Sequence, residues 1–204
     1  MLMKVILLFY LTLLLKVYAK AQDVKYLNTD GKEISTAKFN AELETRKYLA
    51  IKTDAQHRQL IERYQTGLIP DFSNFKTIFN RHFPQALSNS PLVIIYYPGE
   101  DPCNNSGSAT AETKKDWYGT LDKGVKKQIQ SLPIYICKNK NDMDDRGSAV
   151  LNWNNDPEYL IERTFFKHHY PCGSFVVISP NGKYISYFGE YSKEQVWTAL
   201  KAIK

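Results

Sequence analysis

The residues of this chain best suited to chemistry are its three cysteines, Cys103, Cys137 and Cys172. Cys103 stands in "LVIIYYPGEDPCNNSG", where an apolar, β-branched run from Leu92 to Tyr97 stops at Pro98-Gly99 and a polar loop begins. A thiol in such a loop becomes a nucleophile when a cation or a helix N-terminus favours its thiolate. Cys137 ends the apolar run "IYIC" and reads as a buried, inert sulfur. Cys172 follows "HHYP", so His168 and His169 lie close to it in sequence. Histidine and cysteine together suit zinc, but neighbouring side chains of an extended loop point to opposite sides. No metal site is therefore expected; a histidine near a thiol would instead make it more acidic. "NDMDDRG", Asn141 to Gly147, lacks the glutamate of a calcium loop and reads as a solvated acidic loop. The chain has no Gly-x-Ser-x-Gly elbow, no glycine-rich phosphate loop and no paired-carboxylate signature, and no cofactor is expected.

Where the chain resides decides what a cysteine can do. Lys4, the apolar run Val5–Leu15 and Ala19-Lys20-Ala21 have the pattern of a cleavable export signal, residues 1–21, leaving a mature chain from Gln22. The apolar run is shorter than the roughly 20 residues that cross a bilayer, so stable membrane insertion after cleavage is not expected. An exported protein, periplasmic or secreted, meets an oxidising compartment in which disulfides persist. Losing Lys4, Lys16 and Lys20 lowers the formal charge from +6 to +3, and no dense lysine or arginine block remains, so a nucleic-acid partner is not expected.

The elements that would position these residues follow from hydrophobic spacing. Residues 22–90 read as an N-terminal α/β extension. It comprises a hairpin around Asp30-Gly31, a helix in "STAKFNAELETRK", a strand in "YLAIKT", and helices in "DAQHRQLIERYQTG" and "DFSNFKTIFNRHF". Residues 91–204 read as a second unit. The strand Leu92–Tyr97 is followed by a helix within Ser108–Ser131, on which Trp117, Leu121, Val125 and Ile129 recur every four residues; Gly119 and Gly124 weaken that helix. Next come a strand Ile134–Cys137, a polar stretch to Asn155, and a short helix opened by Asp156-Pro157. Strands "SFVVIS" and "KYISYF" flank Asn181-Gly182, and Ser192 with Gln195 forms a capping box for a last helix.

The order β-α-β-α-β-β-α over residues 91–204 resembles the thioredoxin-like superfamily. Three local features carry the resemblance: the apolar strand running into the Cys103 loop, Tyr170-Pro171 just before a strand, and "NGKYISYFGEYSKEQVWTAL" as a hairpin, glycine and closing helix. The resemblance implies an α/β fold with a thioredoxin-like sheet and flanking helices, and a cis peptide at Tyr170–Pro171 facing the cysteine loop. The family's redox chemistry uses two cysteines separated by two residues at a helix N-terminus, where the second resolves the mixed disulfide. This chain departs from that pattern, with Ser106 where the resolving cysteine would stand. By the same resemblance Cys172, directly after Pro171, lies on the rim with Cys103. A reversible pair, a permanent bridge and two unpaired thiols all remain open. Two functions follow. One is an atypical thiol–disulfide oxidoreductase, or redox-linked factor of the cell envelope, with Cys103 and Cys172 catalytic and Tyr170, Pro171 and Ser106 along the substrate groove. The other is a redox-silent binding module. Either takes a protein or peptide partner with a disulfide or an extended segment.

Overall fold

A computed structural model describes residues 23–87, 89–99, 109–142 and 151–203. Cys103 and Ser106 lie outside the described residues, as does most of the Asn141–Gly147 loop. The described chain is a mixed α/β structure with two mixed sheets and five α-helices.

The first sheet has strand order β2-β1-β4-β3, from Glu33–Ile34, Lys25–Leu27, His57–Glu62 and Tyr48–Lys52. Its β1–β2 turn is the expected hairpin. Asn28 Oδ1 accepts from the N–H groups of Asp30 and Lys32 at 3.0 and 2.8 Å, and Gly31 takes φ +76°. Helix α1 (Thr36–Glu44) is capped by the Ser35 hydroxyl and buries Phe39.

One expectation fails here. Asp54–Gly67 was expected to be helical, from Leu60, Ile61 and Tyr64; it forms β4 and then β5 (Tyr64–Leu68). The Asp54 carboxylate takes the N–H groups of Gln56 and His57 at 2.8 and 2.9 Å, turning the chain back from β3. Leu60 and Ile61 are adjacent and both buried, which suits a strand covered on both faces as well as it suits a helix. Pairing with β3 and β1 overrode the local spacing.

The second sheet has order β5-β10-β9-β6-β7-β8, with β6 Leu92–Tyr97, β7 Ile134–Cys137, β8 Asn154–Asn155, β9 Ser174–Ile178 and β10 Lys183–Tyr187. The four segments from 91 onward expected to share a sheet do so: β6 and β7 are parallel, β9 is antiparallel to β6, and β10 to β9. Strands β6 and β9 are almost wholly buried because both faces are covered. Leu92, Ile94 and Tyr96 face a core with Phe75, Phe79, Phe165 and Phe166, from α2 (Phe72–His82), α4 (Leu160–Phe165) and the residue that follows α4. Val93 and Ile95 face a core with Leu121, Val125, Val196 and Leu200, from α3 (Ala111–Ile129) and α5 (Lys193–Ile203).

Side chains cap the starts of α3 and α5, the second through the capping box read from the sequence at Ser192. Thr110 caps α3 through Thr113 N–H, and Ser192 and Gln195 form the reciprocal capping box of α5. Gly124, a helix weakener by propensity, has a packing reason: an added Cβ would lie 2.3 Å from the Trp197 indole. The helix opened by Pro157 is instead a 3₁₀ turn, Pro157–Tyr159, followed by α4, with Glu158 and Tyr159 at positive φ. Asp156, 6 % exposed, accepts from the N–H groups of Ile161 and Glu162, both at 2.9 Å.

Burial pushes the Asp156 carboxyl up to about 6 from its ordinary 3.8; Glu162 raises it further, whereas the two N–H bonds and Arg163 oppose the rise. A carboxyl whose folded value is raised stabilises the fold fully below its unfolded value, and that contribution is lost as pH rises through the folded value. Chemical denaturation across about pH 4 to 7 should therefore show the native chain losing stability relative to Asp156→Asn as pH increases. A constant gap between the two, or a reversed trend, would contradict the assignment.

Candidate functional site

Strand β6 pairs with β9 so that Tyr96 stands opposite Ser174. The loop Tyr170-Pro171-Cys172-Gly173 therefore lies beyond the C-terminal end of β6, where the chain departs toward Cys103. The described helix that follows starts at Ala111 with Thr110 as its cap. Among the sequence-chosen residues, the structure thus gathers Tyr170, Pro171 and Cys172 at this rim, while Cys103 and Ser106 fall outside the described residues.

Two loops are fastened together at the rim. Ser174 is buried, and its hydroxyl accepts the Gly189 N–H at 2.9 Å. Gly189 has φ +83°, and an added Cβ would meet Leu49 Cδ1 at 2.6 Å and Tyr170 Cε1 at 2.9 Å. Only glycine fits so close an approach with that backbone. The Tyr170 ring packs on Phe188 at 5.5 Å, and its phenol is held above its usual range, first by burial and then by Cys172 and Glu190. The Cys172 thiol donates to Glu190 Oε1 at 3.3 Å.

One feature attached to this site by resemblance is corrected, and one of the two histidines read beside the thiol fits its expected role poorly. The described residues contain no cis peptide bond, so Tyr170–Pro171 is trans. His168, considered as a cation for an activated thiol, has its imidazolium disfavoured by partial burial and by Lys167. Cys137 is fully buried, as expected, with its thiol 3.4 Å from the Asn154 carbonyl.

Beside the rim lies a cavity of about 300 Å³ between α3, Gly173 and the loop after β10. Its walls include Trp117, Tyr118 and Tyr191, with Lys114 and Glu190 as charged groups. Trp117 meets Tyr118 and Tyr191 edge-on at 4.9 and 5.9 Å, and Lys193 Nζ stands 5.4 Å from the Trp117 ring centre. Burial pushes the Tyr118 phenol up to about 12 and raises that of Tyr191, so both remain neutral hydrogen-bonding groups. The arrangement suits an apolar or aromatic side chain with polar contacts at the edge.

Sequence reasoning missed Arg63, which it had put on a helix. Its guanidinium donates to the carbonyls of Phe188, at 3.3 Å, and Glu190, and lies over the Tyr187 ring at 4.7 Å. It also missed Glu190 and the aromatic wall; the one visible signal was aromatic density, Trp117-Tyr118 and Tyr191, in segments that the topology brings together.

No family model, curated protein or solved structure matches this chain.

A carboxylate beside a sulfur disfavours the thiolate, the reactive form. In a Cys103→Ser background, Glu190→Gln should therefore speed the reaction of Cys172 with an aromatic disulfide reagent severalfold, a modest gain because water screens an exposed pair. An unchanged or slower rate would show that Glu190 does not restrain this thiol.

Proposed function

We propose that this chain is an exported, thioredoxin-like binding domain whose aromatic groove takes an apolar, extended segment of a protein partner. The observation that carries the reading is the cavity walled by Trp117, Tyr118 and Tyr191 next to the Gly173 backbone. Support for the thioredoxin-like fold comes from the strand order β10-β9-β6-β7, its directions, and α3 and α5 on one face of the sheet. The export-signal pattern in the sequence of residues 1–21 supports an extracytoplasmic location. The serine at position 106 and the Glu190 carboxylate beside the Cys172 thiol favour binding over turnover.

Selection of a random-peptide display library against the chain tests this reading. Enriched peptides should carry aromatic or large apolar residues and change tryptophan fluorescence on binding. Trp117→Leu and, as a milder change, Lys114→Glu should each weaken them by about tenfold, the scale of an interface hot spot. Exposed Tyr159, on the opposite layer, should tolerate Tyr159→Ser without loss. No enrichment, or peptides indifferent to both groove substitutions, would remove the reading.

A second reading is thiol–disulfide exchange, favoured by the place of Cys172 at the end of β6 from which the Cys103 segment departs. Here the Cys103 thiolate attacks a substrate disulfide, forming a mixed disulfide and releasing one substrate thiolate. Cys172 then attacks the mixed disulfide, leaving the second substrate thiol reduced and a Cys103–Cys172 disulfide. An external thiol must reduce that bond for another cycle. Insulin reduction with dithiothreitol as the reductant should then be accelerated by the native chain, unaffected by Cys137→Ser and abolished by Cys103→Ser. Equal rates for native and Cys103→Ser chains would exclude exchange.

A further inference from the structure

Strand β5 is the last strand of the second sheet and all five of its residues, Tyr64 to Leu68, are exposed. Edge strands are ordinarily blunted by a charge, a proline or a covering segment. The sequence YQTGL carries no charge and no proline. It also holds two of the exposed large apolar residues of the described chain, Tyr64 at 47 % and Leu68 at 65 %.

The direction of its free backbone groups follows from the ladder with β10. Ile69 N–H donates to Gly182 C=O, and Phe188 N–H donates to Arg63 C=O. Hydrogen-bonded pairs alternate along an antiparallel ladder, so Gln65 and Gly67 turn inward toward β10. The N–H and C=O groups of Tyr64, Thr66 and Leu68 then turn outward, unpaired by the sheet.

We propose that this edge pairs with the same edge of a second copy of the chain, antiparallel about a two-fold axis at Thr66, giving one continuous sheet across the dimer. In that register Tyr64 stands opposite Leu68 of the second copy, Thr66 opposite Thr66, and all three outward residues exchange both main-chain bonds. Threonine opposite threonine and aromatic beside apolar are favourable cross-strand pairs. The flanking charges do not collide: Glu62 falls opposite Pro70, and Arg63 opposite Ile69. The side chains are complementary in shape as well. A cavity of about 190 Å³, walled by Tyr64, Phe175, Tyr187 and Ala199 with Glu194, Gln195 and Thr198 along its helix side, opens beside the edge on the face that carries Tyr64. Leu68 of the second copy projects onto that face next to Tyr64 and fills it, and the symmetry repeats the contact. A two-fold interface must be self-complementary, and this edge meets the requirement in hydrogen bonds, charge and shape.

A contact of this length is at the small end of specific interfaces, below about 1,200 Å², so the dimer forms with rising concentration. Sedimentation velocity of the chain over a wide concentration range should show a shift from monomer to dimer. Amide hydrogen exchange at Tyr64, Thr66 and Leu68 should slow over the same range. Thr66→Pro removes an outward N–H and leaves the β10 ladder bonds in place; Leu68→Lys changes an exposed side chain and keeps the test open should the proline disturb folding. Either variant, folded by circular dichroism, should remain monomeric at concentrations where the native chain is dimeric. A native chain that stays monomeric throughout overturns the proposal, including the case in which the edge takes up an unrelated extended peptide. So does a dimer that Leu68→Lys leaves intact.

Discussion

The structure depends most on how Arg63 is shared between the two sheets. Strands β4 and β5 are consecutive, with Arg63 alone between them. Its main-chain N–H donates at 2.9 Å to Lys47 C=O in the first sheet, whereas its C=O accepts from Phe188 N–H in the second. Diverting the N–H would leave Phe188 C=O without its ladder partner; the Arg63 side chain supplies Nε at 3.3 Å instead. One residue therefore completes two ladders. Hydrogen bonds to charged groups contribute about 1.5–3 kcal/mol each. By contrast a solvent-exposed pair such as Lys25–Glu33 contributes about 0–1 kcal/mol. The join between the sheets thus rests on Arg63, together with Ile51 and Ile61 in the core shared with β6 and β9, rather than on the surface ion pairs.

The consequence reaches the rim. The same guanidinium holds Glu190 C=O, the next residue back is Gly189, and Gly189 N–H is tied to Ser174. The loop that presents Glu190 to Cys172 is thereby fixed from the N-terminal half of the chain and from β9 at once. A groove with two of its walls set in this way needs little reordering when a ligand binds, which lowers the entropic cost of binding. The same loop sets a carboxylate beside the Cys172 thiol, with Glu190 Oε1 at 3.3 Å.

The core beneath carries costs that the packing offsets. Tyr96 is 2 % exposed, and its hydroxyl has no hydrogen-bond partner among the described residues. Burial, with Glu162 and Asp156 nearby, keeps its phenol strongly protonated. An unsatisfied buried group costs about 1–3 kcal/mol. The Tyr96 ring stacks on Phe166 at 5.1 Å in a core rich in phenylalanine, and full burial of one such ring returns a similar amount.

Local signals by themselves determined the turn at Asp30-Gly31, the capping box at Ser192 and Gln195, the apolar strands β6 and β9, and the burial of Cys137. Each depends on residues close in sequence: a side-chain oxygen reaching an N–H two to four positions on, or an unbroken apolar run. The four strands from Leu92 onward were legible for the same reason. What only the tertiary structure decided is everything that depends on distant partners. Leu60 and Ile61 fit a helix face equally well until β3 and β1 claim them as a strand. Gly124 looks like a defect until Trp197 lies across it. Arg63, Glu190 and the aromatic wall were hidden because their contacts span most of the chain, as in the bonds from Arg63 to Phe188 and Glu190. Spacing reports which residues share a face of one element, but a site assembled from several elements exists only once backbone pairing has set their register.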